Sequence, residues 1–281
     1  MPADNYADAT LIVLGHGTEQ NANSAAPAVQ HAAELRRRQL FASVREAFWK
    51  QEPQVKSVLA EIVTPRVFIV PLFISEGYFS TGIIPQELGF PSVPAMVKHL
   101  ASTWFYCRPV GSHEHMTAVI LARAAEVVQQ FPFPRAPQPA SSTLFIAGHG
   151  TGKNANSRRA IEHQVELIRA RNLYAAVHAV FMEEDPRIGE CYALAQTKNI
   201  VVVPFFISDG LHVVEDIPVL LGEPERLVQE RHAARQPTWR NPTEKHGKRV
   251  WYSPSVGTEP LLAGVILERV EEAARLPAPA V

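Results

Sequence analysis

Residues Val203-Pro204-Phe205-Phe206-Ile207-Ser208-Asp209-Gly210 repeat an earlier stretch of the same chain, Val70-Pro71-Leu72-Phe73-Ile74-Ser75-Glu76-Gly77, and Ile217-Pro218 repeats Ile84-Pro85 in the same register. Upstream, Gly15-His16-Gly17-Thr18 followed by Asn21-Ala22-Asn23-Ser24 recurs as Gly148-His149-Gly150-Thr151 followed by Asn154-Ala155-Asn156-Ser157. The offset is 133 positions (149 − 16). Further on, Val110-Gly111 pairs with Val256-Gly257 at an offset of 146 (257 − 111), so the later copy carries thirteen more residues between Gly222 and Val250. An internal duplication fixes domain organisation that composition leaves open. The reading is an earlier lobe at 1–130, a linker at 131–142 whose prolines favour an extended path, and a later lobe at 143–281.

Within the later copy, Thr143–Ala147, Ala176–Phe181, Asn199–Pro204 and Arg249–Tyr252 are short, apolar and bounded by turn residues, as expected of strands buried on both faces. Helical spacing covers Ser157–Arg171, Pro186–Gln196 and Thr258–Ala274, with Ser157, Asp185 and Thr258 available as caps. The alternation predicts an α/β fold: two tandem repeats, each a small parallel sheet flanked by helices. Ligands of such sheets bind beyond the carboxyl ends of the strands. That rule selects His149 after the first strand, Glu183 and Glu184 after the second, and His212 after the third. In the earlier copy His16 matches His149, but Phe79 stands for His212, Lys50 for Glu183 and Gln51 for Glu184. The earlier lobe thus reads as degenerate.

With 281 residues, 46% of them hydrophobic, the chain can bury one large or two small cores. A formal net charge of −1 offers no global field for nucleic acid or an anionic membrane, so an anionic ligand must be held by local charge. Cys107 and Cys191 lie far apart without a C-x-x-C partner, which points away from a disulfide framework or a thiolate zinc site and fits a reducing cytoplasm. No run of about 18 apolar residues occurs, so no membrane span is expected. The glycine turns match neither nucleotide motif, G-x-G-x-x-G or G-x-x-x-x-G-K-[ST], and no nucleotide is expected. Asp216, just ahead of Ile217-Pro218, reads as a cap for the next helix.

The Gly-His-Gly-Thr turn, the acidic pair before Pro186, and the run from Val203 to Pro218 together resemble the sirohydrochlorin cobaltochelatase family of the CbiX and SirB type, over roughly residues 10–125 and 143–275. The resemblance implies a chelatase-like, pseudo-twofold fold. It also implies ATP-independent insertion of a divalent metal, cobalt favoured with iron or nickel as alternatives, into sirohydrochlorin or a related tetrapyrrole. By that resemblance His149 and His212 are the paired metal-binding and proton-accepting groups, with Glu184 preferred to Glu183 beside them. Phe206 and Leu211 would meet a flat macrocycle. Lys153 and Arg158, with the basic run Arg231, Arg235, Arg240, Lys245, Lys248 and Arg249, would meet its carboxylates. The expected partner is the tetrapyrrole, with neither nucleic acid nor membrane, in a monomer or homodimer. Two other readings compete: a non-catalytic metal or tetrapyrrole binding protein with a chelatase fold, and a hydrolase using His149 as base, which lacks a nucleophile elbow.

Overall fold

The computed structural model describes residues 5–18, 22–150 and 155–277. In chain order its elements are β1 (Ala9–Gly15), α1 (Ala26–Arg38), β2 (Ser43–Phe48), α2 (Val55–Ala60), β3 (Arg66–Pro71), α3 (Ile84–Glu87), β4 (Ala95–His99), β5 (Ser102–Tyr106) and α4 (Met116–Gln130). There follow β6 (Ser142–Gly148), α5 (Ala155–Ala170), β7 (Ala176–Phe181), α6 (Cys191–Leu194), β8 (Asn199–Pro204), α7 (Ile217–Leu220), α8 (Glu225–Ala233), β9 (Thr243–Lys245), β10 (Lys248–Tyr252) and α9 (Leu262–Ala274). The strands form two five-stranded sheets of identical topology, β2-β1-β3-β5-β4 and β7-β6-β8-β10-β9. In each, four strands run parallel, and the fifth joins the edge as an antiparallel hairpin partner.

All four strands expected in the later copy are present. Every residue of the central strands β1 and β6 is buried, as continuous apolar runs require when both faces are covered. The hairpin strands β4 and β9 were not expected; they are short and half-exposed, so they lack the apolar run that marks their neighbours. The helix expected over Pro186–Gln196 is only a 3-10 turn at Ile188–Glu190 followed by α6.

The domain boundaries differ from the sequence reading. One compact unit comprises residues 1–113 and 260–281, the other residues 114–259. Accordingly α4, which follows the first sheet in sequence, packs on β8 and β10, while α9, which ends the chain, packs on β3 and β5. The two terminal helices have been exchanged. A buried arginine ties each to its unit. In the contiguous unit Arg123 donates to the Ser255 carbonyl (2.9 Å) and to Thr258 Oγ1 (2.6 Å); in the discontinuous one its repeat mate Arg269 donates to the Pro109 carbonyl (3.1 Å) and to Ser112 Oγ (2.9 Å). Such charge-assisted bonds inside a protein hold a helix in register better than apolar contact alone. Nor is the proline-rich stretch a linker between units. It lies against β10, where Trp251 Nε1 donates to the Phe131 carbonyl (2.8 Å) and Arg249 to the Phe133 carbonyl (3.0 Å).

Candidate metal site

The site is built at the carboxyl ends of β6, β7 and β8. After Gly148 the chain turns through His149 and Gly150, whose φ of +62° is a left-handed conformation that suits glycine. The carbonyl of His149 accepts from the backbone amides of Met182 and Glu183, both at 3.1 Å. These bonds draw the turn after β7 alongside His149. The third loop leaves β8 through Ser208-Asp209-Gly210, where Asp209 Oδ1 accepts from the Ser255 amide (2.7 Å). It then forms a π-helical turn, His212–Asp216. Insertions of this wide turn into helices often mark functional sites, because they re-aim a side chain. The hydroxyl of buried Tyr252 donates to the Val213 carbonyl at 2.7 Å and pins the turn from below.

This scaffold brings His149 and His212 together. Their ring centroids lie 5.0 Å apart with planes at 79°. Nε2 of His149 faces Glu183 Oε1 at 3.8 Å, and its buried Nδ1 has no hydrogen bond among the described residues. Nδ1 of His212 lies 2.6 Å from Asp216 Oδ2. Among the described residues, the pair gathers no third ligand atom into a cluster in which all lie within 4.8 Å of one another. Both imidazoles are partly exposed, His149 by 34% and His212 by 50%, so a divalent ion held between them could leave as well as enter, unlike one in a closed structural cage.

Several expected roles change. Glu184 does not face the imidazoles: its Oε2 accepts from Arg158 Nη1 at 3.1 Å, and Glu183 is the carboxylate beside His149. Arg158 in turn is committed to Glu162, to Glu184, to the Asp185 carbonyl and to the ring of Phe181, 4.8 Å away. Its hydrogen bonds to Glu162 and Glu184 raise its pKa further, and they occupy its Nε and Nη1. Asp216 is no cap, since it makes no side-chain bond to the amides of α7. Instead it meets His212, four residues back in the turn, and sequence comparison could have flagged it because Ile83 stands at its place in the earlier copy.

The basic run also serves the fold. Arg231 bonds Glu223 and the Thr238 carbonyl; Lys245 bonds Glu223 and the Gly222 carbonyl; Lys248 bonds the carbonyls of Ala195 and Thr197; Arg249 bonds that of Phe133. The segment after Gly222 adds α8, which has no counterpart in the earlier copy, ahead of the β9–β10 hairpin that matches β4–β5, and backbone carbonyls take bonds from these four cations. His232 of α8 pairs with Glu215, so the insertion touches the π turn itself. Of the two apolar candidates, Leu211 is exposed and Phe206 packs on the core, its ring 6.3 Å from that of His212. Lys153 lies outside the described residues. Burial pushes both thiols up, Cys191 to about 12, which leaves them inert.

The other unit repeats the scaffold without the chemistry. Lys50 N donates to the His16 carbonyl (2.8 Å), and Tyr106 Oη donates to the Ser80 carbonyl (3.0 Å) in a π-helical turn over Tyr78–Ile83. There the ring of Phe79 sits 5.1 Å from His16 at 77°, the arrangement His212 has with His149. A ring without a lone pair occupies the place that His212 holds in the other unit.

Solved structures share this fold. A multi-domain protein of Deinococcus radiodurans, described as structurally similar to chelatases, superposes with a TM-score of 0.76 at 28% identity, covering 95% of this chain and 55% of its own. SirB from Bacillus subtilis with Fe3+ covers 95% of this chain and 96% of its own, with a TM-score of 0.65 and 17% identity, a likeness of fold. The fold is thus that of the chelatases, built as two α/β units. In sequence, a Halobacterium salinarum protein described as a probable sirohydrochlorin cobaltochelatase is 38% identical over 278 residues, 94% of this chain and 91% of its own. The CbiX family model matches residues 10–127 and 143–273, and the chain belongs to the CbiX family.

Proposed function

We propose that this chelatase inserts cobalt into sirohydrochlorin at His149 and His212, with Glu183 rather than Glu184 as the neighbouring carboxylate. The observation that carries the reading is the perpendicular imidazole pair, 5.0 Å apart at two strand ends of one unit. Metallation of a tetrapyrrole requires loss of two pyrrole protons and entry of an ion that sheds water as it passes into the ring. Neutral imidazole suits both tasks: it binds cobalt, nickel or ferrous iron, and it accepts a proton near neutrality. Glu183, its side chain 59% exposed beside His149, offers a path for that proton to solvent. Cobalt and sirohydrochlorin are favoured by the description of the Halobacterium relative.

The test is anaerobic incubation of the chain with sirohydrochlorin and Co2+, followed by the change in the tetrapyrrole absorbance. Turnover beyond one product per chain supports catalysis. A single stoichiometric change would instead support the binding-protein reading. Substituting His149→Ala or His212→Ala should lower the rate by about a hundredfold or more, as loss of a proton-accepting group does. His16→Ala should leave it within roughly twofold, because Phe79 provides His16 with no second ligand.

A further inference from the structure

Aligned at the offset of 133, His212 and Asp216 correspond to Phe79 and Ile83. Both units nevertheless form a π-helical turn there, and both pin it with a buried tyrosine hydroxyl. The turn therefore does not need the histidine and aspartate, which are present together in one unit and missing together from the other. Asp216 has no capping bond to α7, its side chain is about half exposed, and its Oδ2 lies 2.6 Å from Nδ1 of His212. An ionised carboxylate can only accept a hydrogen bond, so a neutral ring in this contact carries its proton on Nδ1. Nε2 then keeps its lone pair. Left to itself, a neutral histidine in water favours the proton on Nε2, the form that could not bind a cation through that atom.

We infer that Asp216 is a positioning residue that holds His212 as the Nδ1–H tautomer and so presents a bare Nε2 to the incoming divalent cation. The purpose rests on the chelatase reading above; the tautomer itself does not. Partners that orient a ligating imidazole in this way commonly account for a 10- to 100-fold difference in metal affinity. Glu215, the next residue in the turn, faces His232 and is not available to His212 in the same way.

The experiment uses the full, metal-free chain with 15N-labelled imidazoles at about pH 8, well above the ordinary histidine range. His212 is assigned by its loss in His212→Gln. In the native chain and in Asp216→Asn, whose amide oxygen can still accept, Nδ1 should show the protonated shift and Nε2 the unprotonated one. Asp216→Ala should move the proton toward Nε2. In parallel, Co2+ titration followed by visible absorbance should weaken 10- to 100-fold in Asp216→Ala and stay within roughly threefold in Asp216→Asn. A native His212 protonated on Nε2, or an unchanged pattern in Asp216→Ala, overturns the inference. So does equal loss of Co2+ binding in both variants, which would make Asp216 a direct ligand. Because no tetrapyrrole is used, a chain that fails to turn over but keeps the expected tautomer would sink the proposed function alone.

Discussion

His212 and Phe79 hold one position in two copies of a single scaffold and differ only in whether they offer a lone pair. Restoring that atom alone should not restore a site, because a lysine, Lys50, stands at the position of Glu183, and Ile83 has nothing to offer Nδ1. We expect Phe79→His to leave the Co2+ stoichiometry at one per chain, and the combination with Lys50→Glu and Ile83→Asp to raise it to two, measured by equilibrium dialysis. His178 makes a separate prediction about pH. Burial, and secondarily Arg169, lowers its pKa, so the folded state disfavours the protonated ring. Its contribution to stability is complete above the ordinary histidine value of about 6.5 and is lost as pH falls below it. His178→Phe, which keeps the stack on Phe145, should flatten the fall in melting temperature between pH 8 and pH 5.5; parallel curves for the two proteins would refute this. At this scale His212 was legible as a difference between the copies, because the duplication aligned it with Phe79; His149 aligns with His16 and was picked out by its strand end alone. The choice of Glu183 over Glu184 was not, since it depends on how two amides bond the His149 carbonyl rather than on any spacing.

At the scale of elements, strands were readable wherever burial on both faces imposed an unbroken apolar run. The π turns were not, because a single wider turn leaves no periodicity to detect. Their tyrosine braces allow a paired experiment. Tyr252→Phe and Tyr106→Phe each strand a buried carbonyl, of Val213 and Ser80 respectively, and each should cost about 1–3 kcal/mol in denaturant unfolding. Only Tyr252→Phe should also slow metal insertion, since the turn it pins carries His212. Equal kinetic losses in the two variants would detach the brace from the site. Burial holds the Tyr252 phenol well above its usual pKa, so it remains a donor throughout the working pH range.

For the whole molecule, duplication in sequence and division in space do not coincide. The repeats break in the proline-rich stretch, whereas the units break after His113 and after Glu259. Nothing local in the sequence distinguishes a helix that packs on its own sheet from one that packs on another, because α4 and α9 are equally apolar on one face. A fragment cut at the repeat boundary, 143–281, would lack α4 and carry α9 without β3 and β5. In α9, Leu262, Val265, Ile266 and Val270 are buried, each contributing about 1.5–3 kcal/mol, in total comparable with the stability of a whole domain. We expect fragment 114–259 to give a dispersed amide spectrum by NMR and fragment 143–281 a collapsed one. The reverse would contradict the exchange.

That exchange also orders events during synthesis. Residues 114–259 are contiguous, so this unit can close as soon as the ribosome has released them. The sheet made first must wait, its β3 and β5 uncovered, until α9 emerges. The nascent chain thus finishes the unit that holds His149 and His212 before the unit that holds His16 and Phe79, and a premature stop ahead of α9 would strip its cover from the latter while sparing the former.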